Sequence, residues 1–235
     1  MKFKTLCVGV LCGSMLLGMG SCSSLTNTGK GALIGGGGGG AVGAGVGALI
    51  GGGKGAGIGA GVGAAIGAGV GALIGNKMDK QKKELEEQLA QSGAKVEEAT
   101  DDNGLKSIRV TFDGGILFPT GKWDLNEQAK ADLSRFAANL KNNPDTDVQI
   151  LGFTDNTGSF SANEKVSTNR ADAVKTFLIN QGVGASRISA QGIPMADYVA
   201  SNETAEGRAQ NRRVEVFITA NENMIKQAEA EAAGK

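Results

Sequence analysis

The stretch GFTDNTGSFSANEKVSTNRADAV, residues 152–174, places an acid in a turn and a base in a helix. Asp155 lies among glycine and asparagine residues, which favour turns, whereas Arg170 lies in a helical pattern predicted over 161–181. At 3.6 residues per turn, one side of this helix carries five apolar and three polar side chains. They are Val166, Ala173, Val174, Phe177 and Leu178, and, nearer the helix start, Asn163, Ser167 and Arg170. The core-facing side therefore becomes polar where it meets the loop that carries Thr154 and Asp155.

Strands and helices alternate around this stretch, from about residue 104 to residue 220. A period of two predicts strands in SIRVTF (107–112) and RRVEVFI (212–218), and DVQILGF (147–153) and RISAQG (187–192) are predicted as strands between them. Helices are predicted from a capping box at Asp124 and Glu127, over 161–181, and over 202–210. Helices that connect strands cover a sheet and make part of it parallel. Residues 104–220 are therefore predicted to form an α+β domain of βαβαβ type with a mixed, helix-covered sheet.

The acid and the base have the chemistry of a zwitterion site. The loop that carries Asp155 lies beyond the carboxyl end of a strand, where ligands of open α/β sheets bind. Asp155 can accept hydrogen bonds from an ammonium, and Arg170 can hold a carboxylate through two parallel bonds. The helix start adds free N–H groups that favour anions. The alternative is that Asp155 and Arg170 only pair with each other.

Two motifs resemble those of a known family. GFTDNTG, Asn163 and VSTNRA (166–171) resemble the signature of the OmpA-like peptidoglycan-binding domain, and ASNETAEGRAQNRRVEV (200–216) resembles its closing helix and strand. The resemblance covers about residues 105–220. It implies non-covalent binding of the diaminopimelate of the peptidoglycan stem peptide. The family's binding aspartate and arginine match Asp155 and Arg170. Its supporting positions match Thr154, Asn163 and Arg213.

The chain departs from this family in the loop after the third predicted strand. Where relatives have Q-G-x-G and a later proline, it has Gln191-Gly192-Ile193-Pro194 and Tyr198. Proline fixes φ where glycine leaves it free. We therefore expect one wall of the site to differ.

The first 21 residues predict a secretory signal peptide. Two lysines precede an apolar run over 6–19, and Gly20 and Ser21 then lead into Cys22. This arrangement resembles the lipobox of bacterial lipoproteins, which implies cleavage after residue 21 and acylation of Cys22.

The residues after the predicted cleavage site indicate a destination. Ser23 and Ser24 follow Cys22 without an aspartate, which resembles routing to the outer membrane, with a short linker over 22–30. The predicted localisation is therefore the outer membrane, lipid-anchored, with the C-terminal domain in the periplasm. The alternative is plain secretion with Cys22 as a free thiol.

Residues 31–76 have a glycine at every fourth position from Gly31 to Gly75, and Lys54 is their only charged residue. On a helix, this period makes one glycine face through which two helices approach closely. The apolar segments on either side of Lys54 are each long enough to cross a bilayer. The pattern predicts a glycine-zipper helical hairpin, membrane-embedded and prone to self-association. A flexible glycine-rich linker is the alternative.

Two polar segments flank the predicted domain. Residues 77–103 are rich in charge and predict a helical spacer that lifts the domain off the membrane, and residues 221–235 predict a polar, frayed tail.

Composition excludes several classes of function. Acidic and basic residues balance at 24 each, which argues against nucleic-acid binding. The chain has no histidine and three cysteines, two of them inside the predicted signal peptide, so we expect no metal, no cofactor and no catalysis. The predicted function is a non-enzymatic tether between outer-membrane lipid and the cell wall. The alternatives are an enzyme acting on the wall, and a zipper oligomer for which the wall-binding domain is only an anchor.

Overall fold

The computed structural model describes residues 68–119 and 121–234. The predicted signal peptide, the acylation site Cys22 and the predicted zipper as far as residue 67 lie outside these residues. Within the described part, no helix is both long and apolar enough to cross a membrane.

Helices and strands alternate along the described residues. The helices are α1 (Ala68–Leu89), α2 (Gly114–Leu117), α3 (Glu127–Asn142), α4 (Phe160–Asn180), α5 (Ala205–Asn211) and α6 (Glu222–Ala233), with a 3-10 turn at Ala185–Arg187. The strands are β1 (Lys95–Thr100), β2 (Lys106–Asp113), β3 (Thr146–Phe153), β4 (Ile188–Ile193) and β5 (Arg213–Ala220).

The five strands form one mixed sheet in the order β1-β2-β5-β3-β4. Strands β3 and β4 are parallel because α4 crosses between them, and the other neighbours are antiparallel. The prediction of a mixed, helix-covered sheet is confirmed. Strand β1 was not predicted, because its sequence KVEEAT is charged and its side chains stay largely exposed at the sheet edge.

The two sides of the sheet are packed differently. On the first side, alternate residues of β2, β3 and β5 meet α1, α3, α4 and α6 in the large core, among them Val110, Phe112, Ile150, Val214 and Val216. The other side carries a small apolar group of Leu151, Phe153 and Phe217, against which Ile193 packs. The main core therefore lies between the sheet and the helices.

The charged segment over 77–103 is helical as far as Leu89, as predicted, but it is not a spacer separate from the domain. Helix α1 runs across the predicted boundary at residue 77 and packs against α3, α6, β1 and β2. Its buried side chains recur every three or four residues, which makes one core-facing stripe: Val70, Ile74, Met78, Gln81, Leu85 and Leu89. The abrupt change in composition concealed this stripe, because the charged residues occupy the outward sides of the same helix.

The C-terminal segment and one helix start also differ from prediction. The predicted tail forms α6, whose N-cap Asn221 accepts a hydrogen bond from the Met224 N–H at 3.1 Å. Met224 and Ala228 are buried in the main core, so α6 belongs to the domain. Helix α3 begins at Glu127 after the cap Asn126, not at a capping box with Asp124.

Candidate functional site

Asp155 lies in the loop between β3 and α4. Its Oδ1 accepts a hydrogen bond from the Thr157 N–H at 2.8 Å, which closes a tight turn directly after the strand. Gly158 follows at φ 93°, a conformation that glycine adopts without strain. The side chain is largely buried, with 6% of Asp155 exposed. The local sequence thus holds this carboxylate at the carboxyl end of a central strand.

Arg170 reaches the same region from α4. A Cβ at Gly152 would clash with the backbone carbonyl oxygen of Ser167, so glycine in β3 lets α4 approach the sheet closely. The Nε of Arg170 donates to the Lys122 carbonyl oxygen at 3.1 Å. Its guanidinium also lies 5.1 Å from the centre of the Phe118 ring, within the range of a cation–π contact. These contacts hold Arg170 in place, and only 5% of the residue is exposed.

Arg212, which was not predicted as a site residue, is the ion-pair partner of Asp155. Its Nη1 donates to Asp155 Oδ2 at 2.7 Å, and 42% of its side chain is exposed. Within the described residues, no carboxylate forms an ion pair with Arg170, so the predicted alternative of an Asp155–Arg170 pair is not what the structure shows.

Strand alternation could have identified Arg212 from the sequence. Val214 and Val216 face the helix-covered side of the sheet. A period of two then directs Arg212 towards that side and Arg213 towards the other. Of the two adjacent arginines, Arg212 is therefore the one that can meet Asp155.

Electrostatics keep the acid ionised. Burial by itself would raise the pKa of the Asp155 carboxyl, but hydrogen bonds from Arg212 and Thr157 outweigh it and hold that pKa below its ordinary value. Burial lowers the pKa of the Arg170 guanidinium, and the nearby charge of Arg212 lowers it further. A guanidinium nevertheless remains protonated at neutral pH. The site therefore presents a carboxylate and two cations at once.

These groups line one open cleft of about 660 Å³. Its charged lining consists of Asp113, Asp155, Arg170, Arg208 and Arg212. Helix α2 and the following loop supply another wall, which includes Gly114, Gly115 and Phe118. The volume is within the range of small-molecule sites, and the lining offers both signs of charge.

The other three predicted residues do not line this cleft. Thr154 Oγ1 accepts from the Met195 N–H at 3.0 Å. Asn163 Nδ2 donates to the carbonyl oxygens of Thr157 and Ser159 at 2.9 and 3.0 Å, which ties α4 to the Asp155 loop.

Arg213 is enclosed on the other side of the sheet. Its Nε pairs with Glu215 Oε1 at 2.6 Å, and its Nη2 donates to the Asp197 carbonyl oxygen at 2.9 Å. The guanidinium carbon lies 3.9 Å from the centre of the Phe153 ring. Only 4% of Arg213 is exposed.

Two segments of the chain match known families. Residues 117–212 match the OmpA family, and residues 38–82 match a glycine zipper family. The second match extends into α1, which begins at Ala68.

Within the described residues, no group of three or more His, Cys, Asp or Glu side chains could hold a metal ion.

Individual relatives match mainly the C-terminal part. A probable lipoprotein, YiaD, of Escherichia coli K12 is 38% identical over 145 residues, which are 62% of this chain and 64% of the relative. The peptidoglycan-binding protein ArfA of Mycobacterium tuberculosis H37Rv is 45% identical over 112 residues, which are 48% of this chain and 34% of the relative. The chain thus spans less than two thirds of the length of either relative.

A solved structure shares the fold. The cell wall anchor of the type VI secretion system (T6SS) of Pseudomonas aeruginosa superimposes with a TM-score of 0.51 at 30% identity. The superposition covers 58% of this chain and 97% of that one.

Proposed function

We propose, from the match of residues 117–212 to the OmpA family, that this protein is a non-covalent tether between the outer membrane and the cell wall. In this proposal the cleft binds the diaminopimelate of the peptidoglycan stem peptide. The names of two relatives support it, since one is a peptidoglycan-binding protein and the other a cell wall anchor.

The observation that carries the proposal is the unused hydrogen-bonding capacity of the acid and the base. A carboxylate has about four acceptor sites. Asp155 accepts from the Thr157 N–H and from Arg212, and the Thr157 hydroxyl also bonds to this carboxylate, so at least one acceptor site stays free. Arg170 donates one hydrogen bond within the described residues, from Nε, so Nη1 and Nη2 remain for a ligand. Buried groups with spare capacity are typical of binding sites.

Diaminopimelate offers the matching groups. The end of its side chain carries an ammonium and a carboxylate on one carbon, so a single ligand can meet both residues. Asp155 would accept from the ammonium, and Arg170 would hold the carboxylate. No bond is made or broken in this interaction. Thr154, Asn163 and Arg213 would support the site by holding the loops around it.

The membrane end of the tether rests on the predicted features of the N-terminal part. Acylation of Cys22 would anchor the chain in the outer membrane, because each buried methylene contributes about 0.8 kcal/mol. The zipper would add a membrane-embedded hairpin that self-associates through its glycine face. The match of residues 38–82 to a glycine zipper family supports this part of the proposal. Detergent-solubilised protein should then form oligomers that Gly47→Leu and Gly51→Leu abolish.

Co-sedimentation of the full-length protein with purified sacculi, in mild detergent, tests wall binding. We expect the parent to pellet, and Asp155→Asn and Arg170→Met to bind at least about 30-fold more weakly. Asp102→Asn and Arg109→Met change the same charges outside the cleft lining and should pellet like the parent. Circular dichroism checks that each variant is folded. If folded Asp155→Asn and Arg170→Met still pellet like the parent, the proposed site is wrong.

A further inference from the structure

The loop after β4 holds two residues in a strained conformation. Of the described residues other than glycine, Met195 and Asp197 are those with positive φ, at 50° and 51°. Such a conformation persists only where the surroundings impose it.

Hydrogen bonds fasten the loop on both sides of Asp155. Thr154 Oγ1 accepts from the Met195 N–H at 3.0 Å, and the Asn156 N–H donates to Asn202 Oδ1 at 3.3 Å. The residues immediately before and after Asp155 are thus each bonded to one end of the loop. The segment 195–202 therefore lies against the acid of the cleft.

Two further side chains hold the middle of the loop. Arg213 donates to the Asp197 carbonyl oxygen at 2.9 Å. Asn211 Oδ1 accepts from the N–H groups of Val199 and Ala200 at 2.8 and 3.0 Å. Residues 197, 199 and 200 are all restrained, so the backbone on either side of Tyr198 has little freedom.

Tyr198 is the residue that this framework presents. It is 37% exposed and stands between residues whose backbones are held by hydrogen bonds. Burial raises the pKa of its hydroxyl, and the charge of Asp155 raises it further. Tyr198 is not among the residues that line the cleft.

We propose that Tyr198 is a ligand-contacting residue of the wall-binding site, whose ring forms the aromatic wall of the ammonium subsite at Asp155. This inference rests on the proposed function. An ammonium held by a carboxylate gains further stabilisation when an aromatic face lies within about 6 Å of it. Thr154, Asn211 and Arg213 act as positioning residues, because they hold the loop and not the ligand.

Affinity measurements on three variants test the role of the ring. The probe is the soluble tripeptide L-Ala-D-Glu-meso-diaminopimelate, bound to the full-length protein in detergent. We expect Tyr198→Leu to weaken binding about 5- to 30-fold, and Tyr198→Phe to bind within about twofold of the parent. Val199→Ala is the matched control, since Val199 is 58% exposed on the same loop and bonds Asn211 through its backbone alone. It should bind like the parent.

A modified probe separates an ammonium contact from general packing. Acetylation of the side-chain amine of the tripeptide removes its charge. With the acetylated probe, the parent should bind more weakly and Tyr198→Leu should lose nothing further. An equal loss for both probes would overturn the proposed ammonium contact.

The single tyrosine of the chain allows a direct observation without substitution. In protein labelled with ¹³C-tyrosine, the ring resonances belong to Tyr198 by composition. They should shift with the tripeptide and saturate with its binding curve. Absence of any shift at saturation would overturn the proposal.

The outcomes distinguish this inference from the proposed function. If Asp155→Asn abolishes binding while Tyr198→Leu loses less than about fivefold, the tyrosine contact is wrong and the tether stands. If Asp155→Asn binds the tripeptide like the parent, the proposed function fails, and the inference fails with it.

Discussion

The two sides of the sheet each bury an arginine, but they use it differently. On the helix-covered side, Arg170 is 5% exposed and donates one hydrogen bond to a backbone carbonyl. On the other side, Arg213 is 4% exposed and has a carboxylate, two backbone carbonyls and an aromatic ring around it. Burial alone therefore does not separate a structural arginine from a binding one.

The number of partners makes the distinction. A buried charge costs free energy unless it is paired and hydrogen-bonded. Arg213 has these partners inside the domain, whereas Arg170 has both Nη groups to spare and faces an open cleft. The comparison indicates that Arg213 stabilises the fold, and that Arg170 keeps its capacity for a ligand.

Removal of α1 should have the largest effect, because the helix-covered side depends on it. A fragment that begins at residue 90, directly after α1, lacks five buried apolar residues of the main core: Val70, Ile74, Met78, Leu85 and Leu89. Each such side chain contributes about 2–5 kcal/mol, and a whole domain is stable by only about 5–15 kcal/mol. We expect this fragment to show no cooperative urea transition by circular dichroism.

A chain that begins at residue 68 is the control and should unfold cooperatively. Equal unfolding midpoints for the two fragments would contradict the role given to α1.

Arg213→Met should destabilise the domain by about 3–5 kcal/mol, because it leaves Glu215 buried without its partner. The measurement is the free energy of unfolding in urea. Arg213→Met combined with Glu215→Met removes both charges and should recover much of the loss. No recovery in the double variant would show that the pair is not what the single variant disturbs.

Arg170→Met should cost little stability and most of the binding, in contrast to Arg213→Met. We expect the free energy of unfolding to fall by about 1 kcal/mol and sacculus binding to be lost. One hydrogen bond to Lys122 and the stacking on Phe118 are the contacts removed, and each is worth about 1 kcal/mol or less net. The same urea series measures the variant beside Arg213→Met. A loss of stability as large as that of Arg213→Met would remove the contrast between the two sides.

The smallest expected effect is the pH dependence that Asp155 contributes. Its pKa in the folded domain lies below its ordinary value because of the hydrogen bonds from Arg212 and Thr157 that outweigh burial. A depressed carboxyl pKa stabilises the fold above the unfolded pKa of about 3.9, and this contribution disappears as the pH falls through the lower folded value. Since 42% of the Arg212 side chain is exposed, we expect less than about 1 kcal/mol.

The stability difference between the parent and Asp155→Asn measures this contribution. It should be constant from about pH 5 to pH 8 and shrink below about pH 4. A difference that grows on acidification would mean that burial, and not the hydrogen bonds, dominates at Asp155.

Much of the fold could be predicted because its patterns are local. The alternation in β2 and β5 lies as predicted, and Ala173, Val174, Phe177 and Leu178 of the α4 stripe lie in or against the main core. Val166, at the start of that stripe, is only half-buried. Residues 78–89 are helical as predicted, but the packing of α1 into the domain was missed, because its stripe of widely spaced apolar residues crosses a sharp change in composition. Strand β1 was missed because an edge strand with exposed side chains has no apolar alternation.

The sequence by itself determined that Asn163, Ser167 and Arg170 share one side of a helix that starts beside Asp155, because helical periodicity depends only on spacing. Only the tertiary structure decided the partners of those residues. Strand register brings Arg212 to Asp155, and the loop after α2 brings Lys122 and Phe118 to Arg170. The same holds for the loop that carries Tyr198, since its restraints come from the residue after β3, from α5 and from β5. Contacts between distant segments depend on how the elements pack, and no local period in the sequence records that packing.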